Sequence, residues 1–349
     1  MRRIQTLLVA LLALVAAGVP VRAQGSLPIS LFERYVEALR QQAGIPGMSA
    51  AIVQNGRVMW DNGFGFQDVD ALVRATAQTP YPVLDLTQTL SSTVLLHQCL
   101  ELRYLELSDR VRRWDPEYAD DTTTVAQLLS HATPGGGFKY DSTRFAALTN
   151  VVDQCSSGRF ARVLADELFN RLGMQQSVPG ADIVEQSSPN RRWFNDNALA
   201  RYTHTVSSLA VPYRVDRSGR PTRSDVKRNS LSTATGVVST VRDLAIFDAA
   251  LDTGAILDSS TRARAWEPSE SNPMGLGWFV QRYNGERVVW HFGMMRDAYS
   301  SLIVKVPDRR LTLILLANSD GLAGPPYNLS DGDLTSNLFA NLFLKLFVG

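Results

Sequence analysis

Three side chains are candidates for proton chemistry or ligand binding: Asp85, Tyr140 and His291. A tyrosine hydroxyl can pass protons, so Tyr140 is either a proton shuttle or a residue that lines a pocket. His291 could bind a ligand carboxylate, although a strand histidine satisfied by backbone groups is the favoured interpretation. Gly293 would let the strand approach a ligand closely, and Met294 follows it as a further candidate for ligand contact.

Asp85 and Gln88 stand three residues apart at the start of an apolar helical pattern. A carboxylate that attacked an amide would give an anhydride, which is a poor intermediate. Gln88 has no titratable group and cannot act as a base. Asp-x-x-Gln is, however, a good helix start, with Asp85 capping the first turn and Gln88 reaching back to the Asp85 amide. The favoured interpretation of the pair is therefore structural.

The composition is that of an ordinary globular protein. The chain has 349 residues, of which 45% are hydrophobic and 20% are charged, with a formal net charge of +1. Disordered and fibrous classes are excluded by these values, and there is no electrostatic case for binding nucleic acid or an anionic membrane. Lysine is scarce, which matters because some catalytic sites need a lysine in a fixed place. The lysines are Lys139, Lys227, Lys305 and Lys345.

The N-terminus has the features of a secretory signal peptide. Arg2 and Arg3 precede an apolar run over 7–19, and Val21-Arg-Ala23 resembles a cleavage site. We expect cleavage after about Ala23 and a periplasmic or secreted protein with no stable membrane anchor. The alternative, an uncleaved anchor, is disfavoured because the run is shorter than the ~20 residues that span a bilayer.

Cys99 and Cys155 are the two cysteines of the chain. An oxidising compartment would allow them to form a bridge. Both lie in helical patterns, where buried free cysteines are common, so free thiols are favoured and a bridge is the alternative. No Cys and His residues have metal-ligand spacing, so we expect neither a metal nor another cofactor.

Hydrophobic periodicity predicts strands at both chain ends and helices between them. Asn55-Gly56 predicts a type I′ hairpin turn, and residues 175–230 are polar with little periodicity. Strands are predicted over 48–53, 58–60, 277–283, 287–290, 300–306 and 311–317. Helices are predicted over 29–40, 85–102, 125–130, 143–154, 160–171, 239–251 and from about 334.

This order of elements predicts a mixed α/β (α+β) fold. An antiparallel sheet of about five strands, built from both chain ends, would be flanked by helices and interrupted by an all-helical subdomain. The predicted divisions are a signal peptide over 1–23, a sheet domain over 24–80 plus 231–349, and an inserted helical subdomain over 81–230. The cleft between the sheet and the insert would begin at the Asp85 helix.

Several local strings, in this order, resemble the serine β-lactamase and penicillin-binding-protein family. The resemblance is strongest to the branch of class C β-lactamases, D-alanyl-D-alanine carboxypeptidases and esterases. The ordered set carries the resemblance, since no single string is specific. The strings are Gly44-Ile-Pro-Gly-Met-Ser49, Gly63-Phe-Gly65, Leu128-Leu-Ser-His131, Leu172-Gly-Met174, Gly236-Val-Val-Ser-Thr240, Gly275-Leu-Gly-Trp278 and Leu316-Ala-Asn-Ser319.

The resemblance implies acyl transfer by a Ser-x-x-Lys motif, a Tyr-x-Asn motif and a Lys/His-x-Gly strand. The first of these reads Asp85-Leu-Thr-Gln88 here, so both the nucleophile and the base are missing. The second reads Tyr140-Asp-Ser142, which retains the tyrosine and places Ser142 in the pocket. The third is retained as His291-Phe-Gly293. One other Ser-x-x-Lys, at Ser224, lies in the polar stretch and is interpreted as chance.

We therefore expect a degenerate, non-catalytic member of this family that acts as a binding or scaffolding protein, with a small molecule or a peptide or cell-wall-like ligand in its cleft. His131 is interpreted as structural. The acidic Asp85 favours a cationic or neutral ligand over an anionic one. The alternative is an active hydrolase in which Tyr140 and His291 activate water.

Overall fold

The computed structural model describes residues 27–228, 230–268 and 272–349. The predicted signal peptide over 1–23 lies outside the described residues. Within these ranges, the apolar helices are all too short to cross a bilayer.

The centre of the fold is a seven-stranded antiparallel sheet in the order β3-β2-β1-β12-β11-β10-β9. Strands β1 and β12 pair with Met48 opposite Ala317, so the two ends of the chain meet in the middle of the sheet. The predicted Asn55-Gly56 turn joins β1 to β2, and both of its residues have positive φ, as a type I′ turn requires. The strands are β1 (Gly47–Gln54), β2 (Arg57–Asp68), β3 (Val73–Arg74), β9 (Phe279–Tyr283), β10 (Glu286–Met295), β11 (Tyr299–Val306) and β12 (Leu311–Ala317).

The predicted sheet is confirmed, with seven strands rather than about five. The unexpected strand β3 has two residues, which are too few to give a periodic pattern. Short strands also occur between β3 and β9: β4 (Tyr81–Pro82), β5 (Val178–Pro179) and β8 (Val237–Ser239) form a small sheet, and β6 (Tyr213–Val215) pairs with β7 (Pro221–Arg223). The segment predicted to be all-helical is therefore helical with short strands added.

Helices cover both faces of the central sheet. Two of them continue as π-helical turns, at Leu96–Glu101 and Ala165–Asn170. The α-helices are α1 (Leu27–Gln42), α2 (Thr87–Leu95), α3 (Val125–Leu129), α4 (Ser142–Ala146), α5 (Leu148–Cys155), α6 (Phe160–Leu164), α7 (Asp196–Ser207), α8 (Val241–Thr253), α9 (Ser259–Ala265) and α10 (Leu338–Phe347). The 3₁₀ turns are Leu84–Leu86, Val111–Arg113, Ala181–Val184, Arg191–Trp193, Pro307–Arg309, Asp320–Leu322 and Leu329–Asp331.

Two hydrophobic cores lie on opposite faces of the sheet. Strand β11 contributes to both, because alternate side chains of a strand point to opposite faces. Leu302 and Val304 pack with α1 and α10, whereas Ile303 packs with α2 and α8. Strands β11 and β12 are buried along their whole length, which explains their nearly continuous apolar sequences.

One buried charge interrupts this pattern. The Nζ atom of Lys305 lies 2.9 Å from Asp248 Oδ1 and 2.7 Å from Asp252 Oδ1, and it donates a hydrogen bond to Thr312 at 3.3 Å. These four residues are called the lysine cluster below. The cluster joins α8 to strands β11 and β12.

Cys99 and Cys155 form a disulfide with a Cα–Cα distance of 5.5 Å. The expectation of two free thiols is therefore wrong. Each cysteine does lie in a helical segment, as the pattern indicated, but the two helices pack side by side. The bond joins the π-helical end of the segment that starts near Asp85 to the last residue of α5.

Candidate active site

Asp85 lies in a tight turn that leads directly into α2. Leu84, which precedes it, has a φ of 56° although it is bulky and buried. This left-handed conformation costs about 1–3 kcal/mol and is found most often at functional sites. The 3₁₀ turn Leu84–Leu86 then continues into α2.

Strand β10 passes very close to this turn. A Cβ atom on Gly293 would lie 2.6 Å from the carbonyl oxygen of Val83 and 2.8 Å from the backbone nitrogen of Asp85. Such distances exclude any side chain at position 293. Gly293 is therefore needed for the contact between β10 and the helix start, whereas the predicted close approach to a ligand stays a prediction. Met294, the next residue, has 37% of its side chain exposed.

The side chain of Gln88 lies between His131 and the hydroxyl groups near Asp85. The Nδ1 atom of His131 accepts a hydrogen bond from the backbone N–H of Asp141 at 2.8 Å. Burial lowers the pKa of His131 to about 3, so the ring is neutral and its proton is on Nε2. That nitrogen donates to Gln88 Oε1 at 2.8 Å. The orientation of the Gln88 amide is thereby determined.

The other end of the Gln88 amide donates to two hydroxyl groups. Its Nε2 atom lies 3.2 Å from the Tyr140 hydroxyl and 3.3 Å from Ser142 Oγ. Ser142 in turn donates to Asp85 Oδ1 at 2.9 Å. Asp85, Gln88, His131, Tyr140 and Ser142 are called the cleft network below. The donors run in one direction, from the histidine through the amide and the serine to the carboxylate.

The predicted capping box at Asp85 and Gln88 is wrong. The residue that caps α2 is Leu86, and no side chain caps that helix start. Asp85 lies inside the preceding 3₁₀ turn rather than before the helix, and its carboxylate is engaged by Ser142. Gln88 is fully buried and points to His131, so it does not reach back to the Asp85 amide.

Burial raises the pKa values of both acidic groups in the cleft network, Asp85 and Tyr140. Burial raises the pKa of Asp85 to about 6, although hydrogen bonds from Ser142 and Gln88 oppose the shift. Burial and the nearby Asp85 charge raise the pKa of Tyr140 well above its usual value. The Tyr140 hydroxyl is therefore protonated at neutral pH.

His291 lies beside the cleft network without a hydrogen bond to it. Its ring is 6.2 Å from that of Tyr140, and its Nδ1 atom contacts the backbone of Phe292 at 2.8 and 2.9 Å. The ring is fully buried, and its Nε2 atom has no partner among the described residues. Burial lowers the pKa of His291 to about 4, so the neutral ring offers no charge to a ligand carboxylate.

The sequence predicts a structural role for His131 but not its contacts. His131 orients Gln88 and stacks on Tyr140 with ring centroids 4.4 Å apart. Its backbone φ of 52° was a second unusual feature that the sequence did not reveal. The available signal was its position in Leu128-Leu-Ser-His131, one of the strings on which the resemblance depends.

The second Ser-x-x-Lys string lies outside any helix. Ser224 and Lys227 belong to the irregular segment after β7, and the Ser224 hydroxyl donates to the backbone oxygen of Asp297. The described residues contain no group of histidine, cysteine or carboxylate side chains arranged to hold a metal ion.

The cleft network offers one alcohol, one carboxylate and one amide, and no amine. Ser142 Oγ has a carboxylate as its acceptor, but the amide of Gln88 separates both from His131 and cannot carry a proton. A shallow cavity of about 420 Å³ opens beside Tyr140, between Phe138 and Lys139 on one side and Ser330 and Asp331 on the other. The arrangement can hold a ligand by hydrogen bonds.

Residues 32–329 match the family described as Beta-lactamase. The chain is 26% identical over 311 residues to Protein flp of Staphylococcus aureus strain MW2, an alignment that covers 80% of this chain and 60% of that protein. The chain thus spans about 60% of the length of this relative.

Two solved structures share the fold. The octameric penicillin-binding protein homologue of Pyrococcus abyssi has a TM-score of 0.70 at 19% identity, covering 84% of this chain and 74% of that chain. The class C beta lactamase of Rhodobacter sphaeroides has a TM-score of 0.68 at 15% identity, covering 92% of this chain and 100% of that chain. At these identities the likeness establishes the fold alone.

Proposed function

The chain belongs to the beta-lactamase family, and we propose that it is a member without hydrolase activity that binds a ligand in the family's cleft. One observation carries the proposal. The side chains at positions 85 and 88 are a carboxylate and an amide that are already engaged by Ser142 and His131.

Acyl transfer in the resembled branch needs a serine hydroxyl and a lysine amine at these two positions. In a comparable serine hydrolase, removal of the nucleophile costs about 10⁶ in turnover, which corresponds to about 8 kcal/mol of activation free energy. Gln88 cannot substitute for the amine because an amide does not accept a proton near neutral pH. Its Oε1 also accepts a hydrogen bond from His131 Nε2, and this bond fixes the orientation of the amide.

Ser142 is the one hydroxyl that donates to a carboxylate in the cleft network. Asp85, with its pKa raised to about 6, is a stronger base than an ordinary carboxylate. The serine nevertheless lies at the start of the short helix α4 rather than of α2, where the resemblance places the nucleophile. Ser142 also accepts from Gln88. These contacts support a structural role for the hydroxyl, with the retained backbone at Leu84 and Gly293 preserving the cleft.

The ligand in this proposal is a small molecule or a peptide or cell-wall-like compound, and the protein is exported. The Cys99–Cys155 disulfide supports export because such bonds persist in oxidising compartments. The mass of the mature protein recovered from the periplasm or medium tests this. Export with cleavage predicts a chain that begins near Gln24, whereas a cytoplasmic protein that starts at Met1 contradicts it.

The absence of chemistry is tested by intact-mass measurement after incubation with a fluorescent penicillin, and by turnover of p-nitrophenyl acetate. We expect no mass increase and no turnover above that of heat-denatured protein. Turnover that disappears in Ser142→Ala or in Tyr140→Phe would overturn the proposal and identify the working group. Tyr35→Phe is the matched control, because Tyr35 is 48% exposed on α1.

A further inference from the structure

One cavity among the described residues lies next to the cleft network rather than within it. Its volume is about 520 Å³, which is within the range of pockets that hold small molecules. Leu84 and Met295 form part of its wall, and they are chain neighbours of Asp85 and Met294. The cavity therefore adjoins the chain segments that carry Asp85 and Met294.

Just over half of the residues that line this cavity are apolar. Val206 and Leu209 come from the end of α7 and the residues after it, and Leu84 comes from the turn before α2. Tyr299 also faces the cavity, but its hydroxyl donates to the backbone oxygen of Ala210 at 2.7 Å, so its polar atom is satisfied. A ligand that enters here replaces water with hydrocarbon contacts, which favours an apolar chain.

The mouth of the cavity is cationic. The exposed residues Arg223, Lys227 and Arg228 line it, against one carboxylate, Asp225. Arg228 is 3.4 Å from Glu185 in an exposed ion pair, and no ion pair engages Arg223 or Lys227 within the described ranges. The cations of this segment are thus available to a ligand.

The mouth segment is held in place by backbone contacts. The Ser224 backbone N–H donates to the oxygen of Pro212 at 2.9 Å, and its hydroxyl donates to the oxygen of Asp297. Asp297 lies in the turn between β10 and β11. The segment is therefore connected to the sheet on one side and to the insert on the other, with its cations around the opening.

We infer that this cavity binds a single-chain amphiphile with an anionic head group, the chain against the apolar wall and the head group at Arg223 and Lys227. This inference rests on the proposed function, since it gives the class of ligand that a non-catalytic member would hold. It also departs from the expectation of a cationic or neutral ligand. That expectation rested on Asp85, which is engaged by Ser142, whereas the charges at the open end are positive.

Isothermal titration calorimetry tests the inference with dodecanoate and with dodecyltrimethylammonium, each below its micellar concentration. We expect saturable 1:1 binding of dodecanoate and at least tenfold weaker binding of the ammonium compound. Equal affinity for the two amphiphiles, or no binding of dodecanoate, would overturn the inference. This arm needs no variant.

Two variants locate the site. Arg223→Gln with Lys227→Gln should weaken dodecanoate binding at least tenfold, and Leu209→Gln should also weaken it. Arg217→Gln with Arg220→Gln is the matched control, because it removes two exposed arginines from the β6–β7 turn outside the cavity. If both double variants weaken binding equally, the effect is one of general charge and the assignment is wrong.

A vesicle arm distinguishes a free amphiphile from a membrane. Co-sedimentation with phosphatidylglycerol vesicles should be absent, and sedimentation without dodecanoate binding would overturn the inference. A separate result would contradict the proposed function without contradicting this inference. Hydrolysis of p-nitrophenyl dodecanoate would refute the non-catalytic proposal while leaving the binding site in place.

Discussion

The cleft network and the lysine cluster are two polar groups, the first partly half-buried and the second with buried side chains, that face the same side of the central sheet. Ser301 and Lys305 lie four residues apart on β11 and point to that side; Ser301 donates to the oxygen of Val83 at the start of the cleft. The lysine cluster retains an amine between two carboxylates. The cleft network has a carboxylate with no cation, an amide, and a neutral histidine.

The presence of an amine in the lysine cluster, and its absence from the cleft network, indicates what an amine is needed for at each place. Two buried carboxylates without a cation would be strongly unfavourable, so the amine of Lys305 is required for stability. In the cleft network, every donor of Gln88 and His131 has an acceptor without any amine. A lysine at position 88 would be needed only for chemistry.

The largest expected effect comes from reversing the chemistry of the cleft network. Asp85→Ser with Gln88→Lys should produce a penicillin-dependent mass increase that the wild-type protein lacks, because Ser142 and Tyr140 already lie within hydrogen-bond reach of the residue-88 side chain. Asp85→Ser alone, which lacks the base, should remain unlabelled. An unlabelled double variant would show that the rest of the pocket has diverged as well.

Removal of the amine from the lysine cluster should be the most damaging single change. Lys305→Met leaves Asp248 and Asp252 buried without a cation, and we expect the free energy of unfolding to fall by about 3–5 kcal/mol. Urea denaturation measures this. Lys345→Met, at an exposed position on α10, should change it by less than about 0.5 kcal/mol. Equal effects in the two variants would contradict the comparison.

Removal of the Asp85 charge from the cleft network should raise the free energy of unfolding, whereas removal of the amine from the lysine cluster lowers it. Because the pKa of Asp85 is raised from 3.8 to about 6, the folded state binds the proton more tightly, and its stability falls as pH rises through that interval. Asp85→Asn should therefore raise the free energy of unfolding by about 3 kcal/mol at pH 7.5. The gain should shrink as the pH falls through that interval and vanish at about pH 3, where the carboxyl is protonated in both states. A gain that does not depend on pH would show that the Asp85 charge is not its cause.

The smallest effect is expected at Tyr140. Tyr140→Phe keeps the stack on His131 but removes one acceptor of the Gln88 amide, whose other acceptor, Ser142, remains. We expect a loss of about 1 kcal/mol in the free energy of unfolding. Thermal denaturation with the Tyr35→Phe control measures it. A loss as large as that of Lys305→Met would show that the cleft network is as necessary for stability as the lysine cluster, and would contradict the comparison.

Short sequence patterns correctly predicted the turns and strands that depend on residues close together in the chain. The Asn55-Gly56 turn gave the first hairpin, and apolar runs gave β11 and β12. Helix α7 was missed inside a stretch interpreted as aperiodic. Its buried residues Leu199, Tyr202 and Val206 do follow helical spacing, but polar residues surround them.

Contacts between distant residues were the part that the sequence did not predict. Gln88 was interpreted through its neighbour Asp85, whereas its partner His131 is 43 residues away. Cys99 and Cys155 are 56 residues apart, and helical periodicity does not say which helices pack together. The positions of the missing nucleophile and base came from the resemblance to a family rather than from periodicity.

The segment that carries Asp85 and Gln88 is fastened at both ends. Strand β10 abuts its start through Gly293, and the Cys99–Cys155 bond ties its far end to α5. Amide hydrogens along α2 should therefore exchange slowly even without a ligand, and occupancy of the cleft should change their protection little. Ordering on binding would then be confined to the rim, which keeps the entropic penalty of recognition small.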